Sequence, residues 1–252
     1  MVWATAHIFG SGNLMKRRLY FIICLLLGMH LQQAVASGIG INTTRVIYHQ
    51  QDQSVQVSIR NTTKETDFLV RAALLNKDGL RVNEFEILPP LFRLNAESEG
   101  AVRVIKRNNT HFPDEQESLF YFYALAIPST TKEWGGDKKL ANVKVGLGNK
   151  IKFIYRPANL STPDRNIYQR VLFHWGQNSV RVDNPTPYFI SMSSLNIGGV
   201  DFSFSKQGSE VLAPFSYQNY PCDRNRVYAN QLVHWEAIDD LGAIESISTS
   251  IK

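Results

Sequence analysis

Cysteine is almost missing from this 252-residue chain. Only Cys24 and Cys222 occur, so a disulfide-stapled scaffold is excluded. Long apolar runs are missing too: the longest, Leu19 to Leu31, has 13 residues broken by Gly28 and His30, short of the roughly 20 that a membrane-spanning helix needs. Glycine (16) and proline (10) are too scarce for a collagen-like or low-complexity chain. There is no Gly-x-Ser-x-Gly elbow and no Walker-type loop, and Gly38-Ile39-Gly40 lacks the third glycine and the helix of a dinucleotide fingerprint. What is present is a composition of 44% apolar and 19% charged residues, too hydrophobic for disorder and enough to fill a real core.

After Met1 to Met15 comes a basic cluster, Lys16-Arg17-Arg18, then the short apolar run, then Ala34-Val35-Ala36, which has the small-x-small form of a signal-peptidase site. Residues 1–36 are expected to be a secretory signal that is removed. Met15 stands directly before the basic cluster, so translation starts at Met1 or at Met15, the second choice leaving 1–14 as an upstream extension. Removing 36 of the 252 residues leaves 216 and takes away three positive and no negative charges, lowering the formal charge from +5 to +2. That balance, with no Lys/Arg run interleaved with aromatics, gives no ground for a nucleic-acid partner, and no membrane insertion is expected. Cys222 is the one thiol left, so packing and hydrogen bonds must hold the fold.

Period-two alternation recurs, as in Val55, Val57 and Ile59 and in Val143, Val145 and Leu147, and predicts strands with one buried face. Leu119 to Ile127 and Ile151 to Tyr155 are more continuously apolar and aromatic, as central strands of a sandwich are. Turn signals such as Asn76-Lys77-Asp78-Gly79 and Asn184-Pro185-Thr186-Pro187 separate the runs. No stretch of ten residues carries a capped helical stripe. The expected fold is all-β, two immunoglobulin-like sandwiches, with the boundary in Arg156 to Pro163: domains at 37–157 and 158–252.

Chemistry is hard to find. His49, His111, His174 and His234 are not spaced as metal ligands, and neither a metal nor a cofactor is expected. Two acids brought together by folding would suffice for a glycosidase, with Asp239-Asp240 and Glu115/Glu117 the visible candidates, but the chain is read as a non-enzyme. An exported carbohydrate-binding or adhesin-like sandwich, using exposed aromatics such as Trp134, is the alternative.

Five strings in order carry a resemblance: Thr44-Arg45-Val46-Ile47-Tyr48, Pro89-Pro90-Leu91-Phe92-Arg93-Leu94, Glu117-Ser118-Leu119-Phe120-Tyr121-Phe122, Lys150-Ile151-Lys152-Phe153-Ile154-Tyr155-Arg156-Pro157, and Asn184-Pro185-Thr186-Pro187-Tyr188. Together they resemble the PapD-type periplasmic chaperones of the chaperone–usher pilus pathway. The resemblance implies two immunoglobulin-like domains in an L shape with a cleft between them, a periplasmic location, and a role in pilus (fimbrium) assembly. Such a protein holds pilus subunits by donor-strand complementation and passes them to an outer-membrane usher.

Residue by residue, the resemblance assigns Arg45 and Lys152 to the subunit's terminal carboxylate. A carboxylate needs fixed cationic donors, and charge-assisted hydrogen bonds are roughly twice as strong as neutral ones. The bland reading has Arg45 as a solvated strand end and Lys152 snorkelling from an apolar strand. Val143, Val145 and Leu147 match the edge strand that completes the subunit's sandwich, or else they face this chain's own core. The same edge invites self-association when free. Leu147 to Lys152 is an odd step of five, so aiming both at the subunit requires a bulge or twist near Gly146 or Gly148. Glu117, Arg156 and Asp240 match a charged network joining the domains, with Asp239 a competing partner. The lone Cys222 and the moderate loop 129–142 favour the short-loop type of the family.

Overall fold

The computed structural model describes residues 38–129, 145–176, 178–204, 210–223, 227 and 230–252. The expected signal, Trp134, Val143 and most of the loop 129–142 lie outside them. Among the described residues no helix is long and apolar enough to cross a membrane.

The first half is built from β1 (Ile39–Ile41), β2 (Arg45–His49), β3 (Val55–Asn61), β4 (Phe68–Leu75), β5 (Phe85–Leu88), β6 (Leu91–Leu94), β7 (Ser98–Lys106), β8 (Ser118–Pro128) and β9 (Leu147–Arg156). They make two sheets, ordered β1-β3-β7-β5 and β2-β9-β8-β4-β6. Alternation decides which side chains meet between them: Val57 and Ile59 of β3 and Val102 and Val104 of β7 face Phe120, Phe122, Ala124 and Ala126 of β8. Phe85 stands edge-on to Tyr48, Phe120 and Phe153, with ring centres 5.5, 5.5 and 5.1 Å away, contacts worth about 0.5–1.5 kcal/mol each beyond area burial. At the Asn76 turn, the side-chain oxygen accepts the N–H groups of Asp78 and Leu80, and Gly79 takes φ +79°, which a side chain would strain. Leu88–Pro89 is a cis peptide bond.

The second half contains α1 (Asn166–Gln169), β10 (Leu172–Trp175), β11 (Ser179–Asn184), β12 (Ile190–Ile197), β13 (Val200–Asp201), β14 (Val211–Leu212), β15 (Ser216–Pro221), β16 (Leu232–Ile238) and β17 (Ile244–Ser250). Its sheets are β10-β11-β15 and β13-β12-β16-β17, with β14 beside β12. Phe173, Val180, Val182 and Tyr220 pack with Ile190, Leu195, Val233 and Trp235 in a core that shares no residue with the first. The chain is an all-β protein of two immunoglobulin-like sandwiches.

Two details position the site. The first strand divides between sheets: β1 lies antiparallel on β3, whereas β2 lies parallel on β9, its register starting at Arg45↔Lys152. Leu147–Ile151 of β9 therefore have β8 on one side and, among the described residues, no paired strand on the other. The second detail concerns Leu119 to Ile127, expected to form a central strand of a sandwich. β8 is central, but only Phe120, Phe122, Ala124 and Ala126 enter the core; Tyr121, Tyr123 and Leu125 are half-buried and Ile127 is exposed. That second face is packed only in part, Tyr123 lying against Gly148 and Leu125 against Gly146.

Candidate functional site

Arg45 and Lys152 are register partners on adjacent parallel strands. Along β9, Phe153 and Tyr155 belong to the first core, so alternation sends Lys152, Ile154 and Arg156 to the opposite face, toward the second sandwich. Arg45 is 6% exposed, which removes the reading of a solvated strand end. Its Nη1 donates to the carbonyl of Ile238 at 2.8 Å, and its Nε has no partner among the described residues. Burial lowers its pKa, opposed first by the charge of Asp240 and then by Tyr168, Asp239 and Glu117; guanidinium keeps its charge regardless. Lys152 Nζ donates to Oε1 of Glu210 at 2.7 Å. Neither Ile238 nor Glu210 was legible beforehand, because they lie 193 and 58 residues along the chain from the side chains they hold and no local pattern marks them.

The edge segment differs from expectation. Leu147 and the Ile151–Tyr155 run are one strand, and the β8–β9 register runs without interruption from Ala126↔Leu147 to Ser118↔Tyr155. There is no bulge, so Leu147 and Lys152 occupy opposite faces. None is required: a strand added at an edge pairs through backbone groups and is flanked by side chains of both faces. Gly148 serves close packing instead, since a Cβ there would meet the Tyr123 hydroxyl at 2.6 Å. Val145 is 68% exposed and Leu147 42%, so neither is spent on this chain's core. Val143 lies outside the described residues. Ile127 and its cross-strand partner Leu69 are exposed apolar side chains on the neighbouring strands.

Glu117, Arg156 and Asp240 are brought together. Arg156 Nε and Nη2 pair with Glu117 Oε1 at 2.7 and 2.6 Å, and Nη1 and Nη2 hold the two oxygens of Asp240 at 2.7 and 3.1 Å. Asp239 is not the partner; its carboxylate accepts the N–H groups of Leu241 and Ala243 and shapes the β16–β17 turn. Glu117 Oε2 also accepts the N–H of Phe189, and its own N–H donates to Pro187. The motif from Asn184 to Tyr188 is thus the second sandwich's side of the junction. Asn184 ties it down through Thr186, Tyr188 and Ala213, and the Tyr188 ring lies 5.5 Å from the Arg156 guanidinium.

Burial pushes the Glu117 carboxyl up to about 7 while Arg156 and the Phe189 N–H pull it back; for Arg156 burial acts downward, yet Asp240 and Glu117 outweigh it and hold the guanidinium above its ordinary value. The folded chain therefore binds a proton at Glu117 between pH 4.5 and about 7 that the unfolded chain does not. Its contribution to stability is fullest below 4.5 and declines as pH rises through 7. Denaturant titrations of wild type and Glu117→Gln at several pH values in that window check this: the variant is expected to lose the downward slope, and parallel curves would contradict it.

Comparisons with known proteins agree with the two-domain fold. The family model described as "Pili and flagellar-assembly chaperone, PapD N-terminal domain" matches residues 38–161, and "Pili assembly chaperone PapD, C-terminal domain" matches 166–249. The chain is 32% identical over 181 residues to chaperone protein FimC of Escherichia coli O6:H1, covering 69% of this chain and 74% of FimC. It is 29% identical over 206 residues to the probable fimbrial chaperone protein ElfD of Escherichia coli K12, covering 82% and 83%. Among solved structures, the E. coli chaperone DraB matches with a TM-score of 0.73 at 25% identity, covering 86% of this chain and 97% of DraB.

Proposed function

This chain belongs to the PapD family of pili-assembly chaperones, and from that premise we propose that it captures pilus subunits in the periplasm and delivers them to an outer-membrane usher. The subunit's unfinished sandwich receives the edge of β9 as a strand, and its terminal carboxylate is received by Arg45 and Lys152. Domains 37–157 and 158–252 are held at their angle by Glu117, Arg156 and Asp240. Release needs no nucleotide, because a better-fitting strand from the next subunit replaces the donated one.

One observation carries this reading. A strand edge, Leu147–Ile151, that has no paired strand among the described residues starts beside exposed Val145 and ends at the Arg45–Lys152 pair. A bare edge is an aggregation liability that sheets normally blunt. Here it leads to two cations, the composition expected of a surface that takes an extended chain end rather than one left open by accident.

The test is Val145→Asp. Because Val145 is exposed, the purified variant is expected to melt like wild type. An ion carried into the subunit's apolar groove has no partner there and its desolvation is prohibitive, so pull-down of a co-expressed subunit from periplasm should fail. A variant that melts normally and still captures subunits would refute strand donation through this segment.

A further inference from the structure

Lys152 is already paired. Its side chain is only 15% exposed and its ammonium donates at 2.7 Å to Glu210, whose side chain is 56% exposed. The glutamate belongs to the second sandwich: its carbonyl accepts the N–H of Met192 at 2.7 Å, fixing its backbone beside β12 just ahead of β14. Only its side chain crosses to the first sandwich. Its charge is also felt at the Tyr121 hydroxyl, whose pKa is raised first by burial and then by Glu210; Tyr121 is the cross-strand partner of Lys152.

Resting on the capture reading above, we propose that Glu210 is a resident competitor for the carboxylate anchor, a tethered carboxylate that holds Lys152 until the subunit's chain end displaces it. Glu210 fills the site incompletely. It engages Lys152 alone, while Arg45, the register partner of Lys152, gives its Nη1 to the Ile238 carbonyl and has a buried Nε with no acceptor among the described residues. A free terminal carboxylate has two oxygens and no tether, so it can serve both cations. Glu210 is placed to be displaced by such a group, being largely solvated and held by one ion pair of the exposed kind, which is weak.

The exchange has two consequences. Small anions that bring nothing but charge must break an existing pair to enter, whereas a chain end that also pairs with the edge of β9 brings further binding energy. Glu210 therefore selects for a carboxylate attached to a strand. Ligand binding also swaps one ion pair for another, so the carboxylate's contribution should depend only weakly on salt in wild type and strongly once Glu210 is removed.

The test uses a fluorescent peptide of alternating valine and threonine with a free terminal carboxylate, and its terminal amide twin, titrated by anisotropy against wild type, Glu210→Ala, Glu210→Asp and Lys152→Ala. Wild type is expected to prefer the acid, and Lys152→Ala to lose the preference. Glu210→Ala should bind the acid about two- to fivefold tighter, the range an exposed ion pair is worth, with the amide unchanged. Glu210→Asp keeps the charge but is one methylene short of Lys152, and should also bind the acid tighter. Unchanged or weaker acid binding by Glu210→Ala overturns the proposal, and so does an Asp variant that behaves like wild type, which would reveal general repulsion rather than competition. A wild-type protein that cannot tell acid from amide overturns the anchor together with its competitor, whereas preference retained without gain in the Glu210 variants overturns the competitor alone.

Discussion

Lys152→Ala is expected to abolish subunit capture while lowering the fold's stability by no more than about 1 kcal/mol. The two effects separate because of where the side chain sits. Its internal partner Glu210 is largely solvated, so the pair contributes little to folding and its loss strands no buried charge. In the complex the same ammonium is covered by the subunit and opposes a carboxylate that also loses its water. Removing one partner of such a desolvated pair costs roughly 2–5 kcal/mol, a drop in affinity of about thirtyfold or more. Arg45→Ala is a poorer probe, since Arg45 is buried and bonded to the Ile238 carbonyl, and its removal disturbs the junction as well as the anchor. Subunit yield from periplasm and a thermal melt, measured on the same Lys152→Ala preparation, decide the matter; normal yield would sink the anchor.

Most of the architecture was legible because it rests on alternation. Val55, Val57 and Ile59 announce β3 by period two, and the all-β fold follows from many such runs separated by turn residues. The site was legible only where short strings resemble a family's. Arg45 and Lys152 come from such strings, and the structure makes them register neighbours; composition alone would have left them as two unrelated cations. The odd step of five from Leu147 to Lys152 was legible, and with it the condition that aiming both at the subunit would take a bulge or twist. The uninterrupted register puts them on opposite faces, and an edge uses both. Glu210, Ile238 and the Phe189 N–H could not be read at all. They reach their partners across the junction between sandwiches, and contacts between separate cores leave no periodic trace in either sequence segment.

The junction itself carries the second large expectation: Arg156→Ala should lower stability by about 3–5 kcal/mol, the usual cost of removing one member of a buried charge pair. The side chains of Arg156 and Glu117 are each 1% exposed, whereas that of Asp240 is 25% exposed. Without the guanidinium, Glu117 is left with the Phe189 N–H as its one remaining side-chain partner, deep between two sandwiches. For a chain of this length each kcal/mol moves the melting temperature by about 2–4 °C, so a fall of roughly 6–20 °C is expected. Asp240→Asn should cost less, because water already reaches Asp240 and an amide can still accept one of the two bonds. The lost energy is expected to come from the stranded acid rather than from missing volume. The double change Arg156→Met with Glu117→Gln should therefore recover much of the deficit, as apolar or neutral replacements of buried pairs often do. Because the network couples the domains, calorimetry is expected to give one transition for wild type and two for Arg156→Ala. An Arg156→Ala loss under about 1 kcal/mol, or an Asp240→Asn loss as large as it, would show that the two sandwiches are joined by packing and not by these charges.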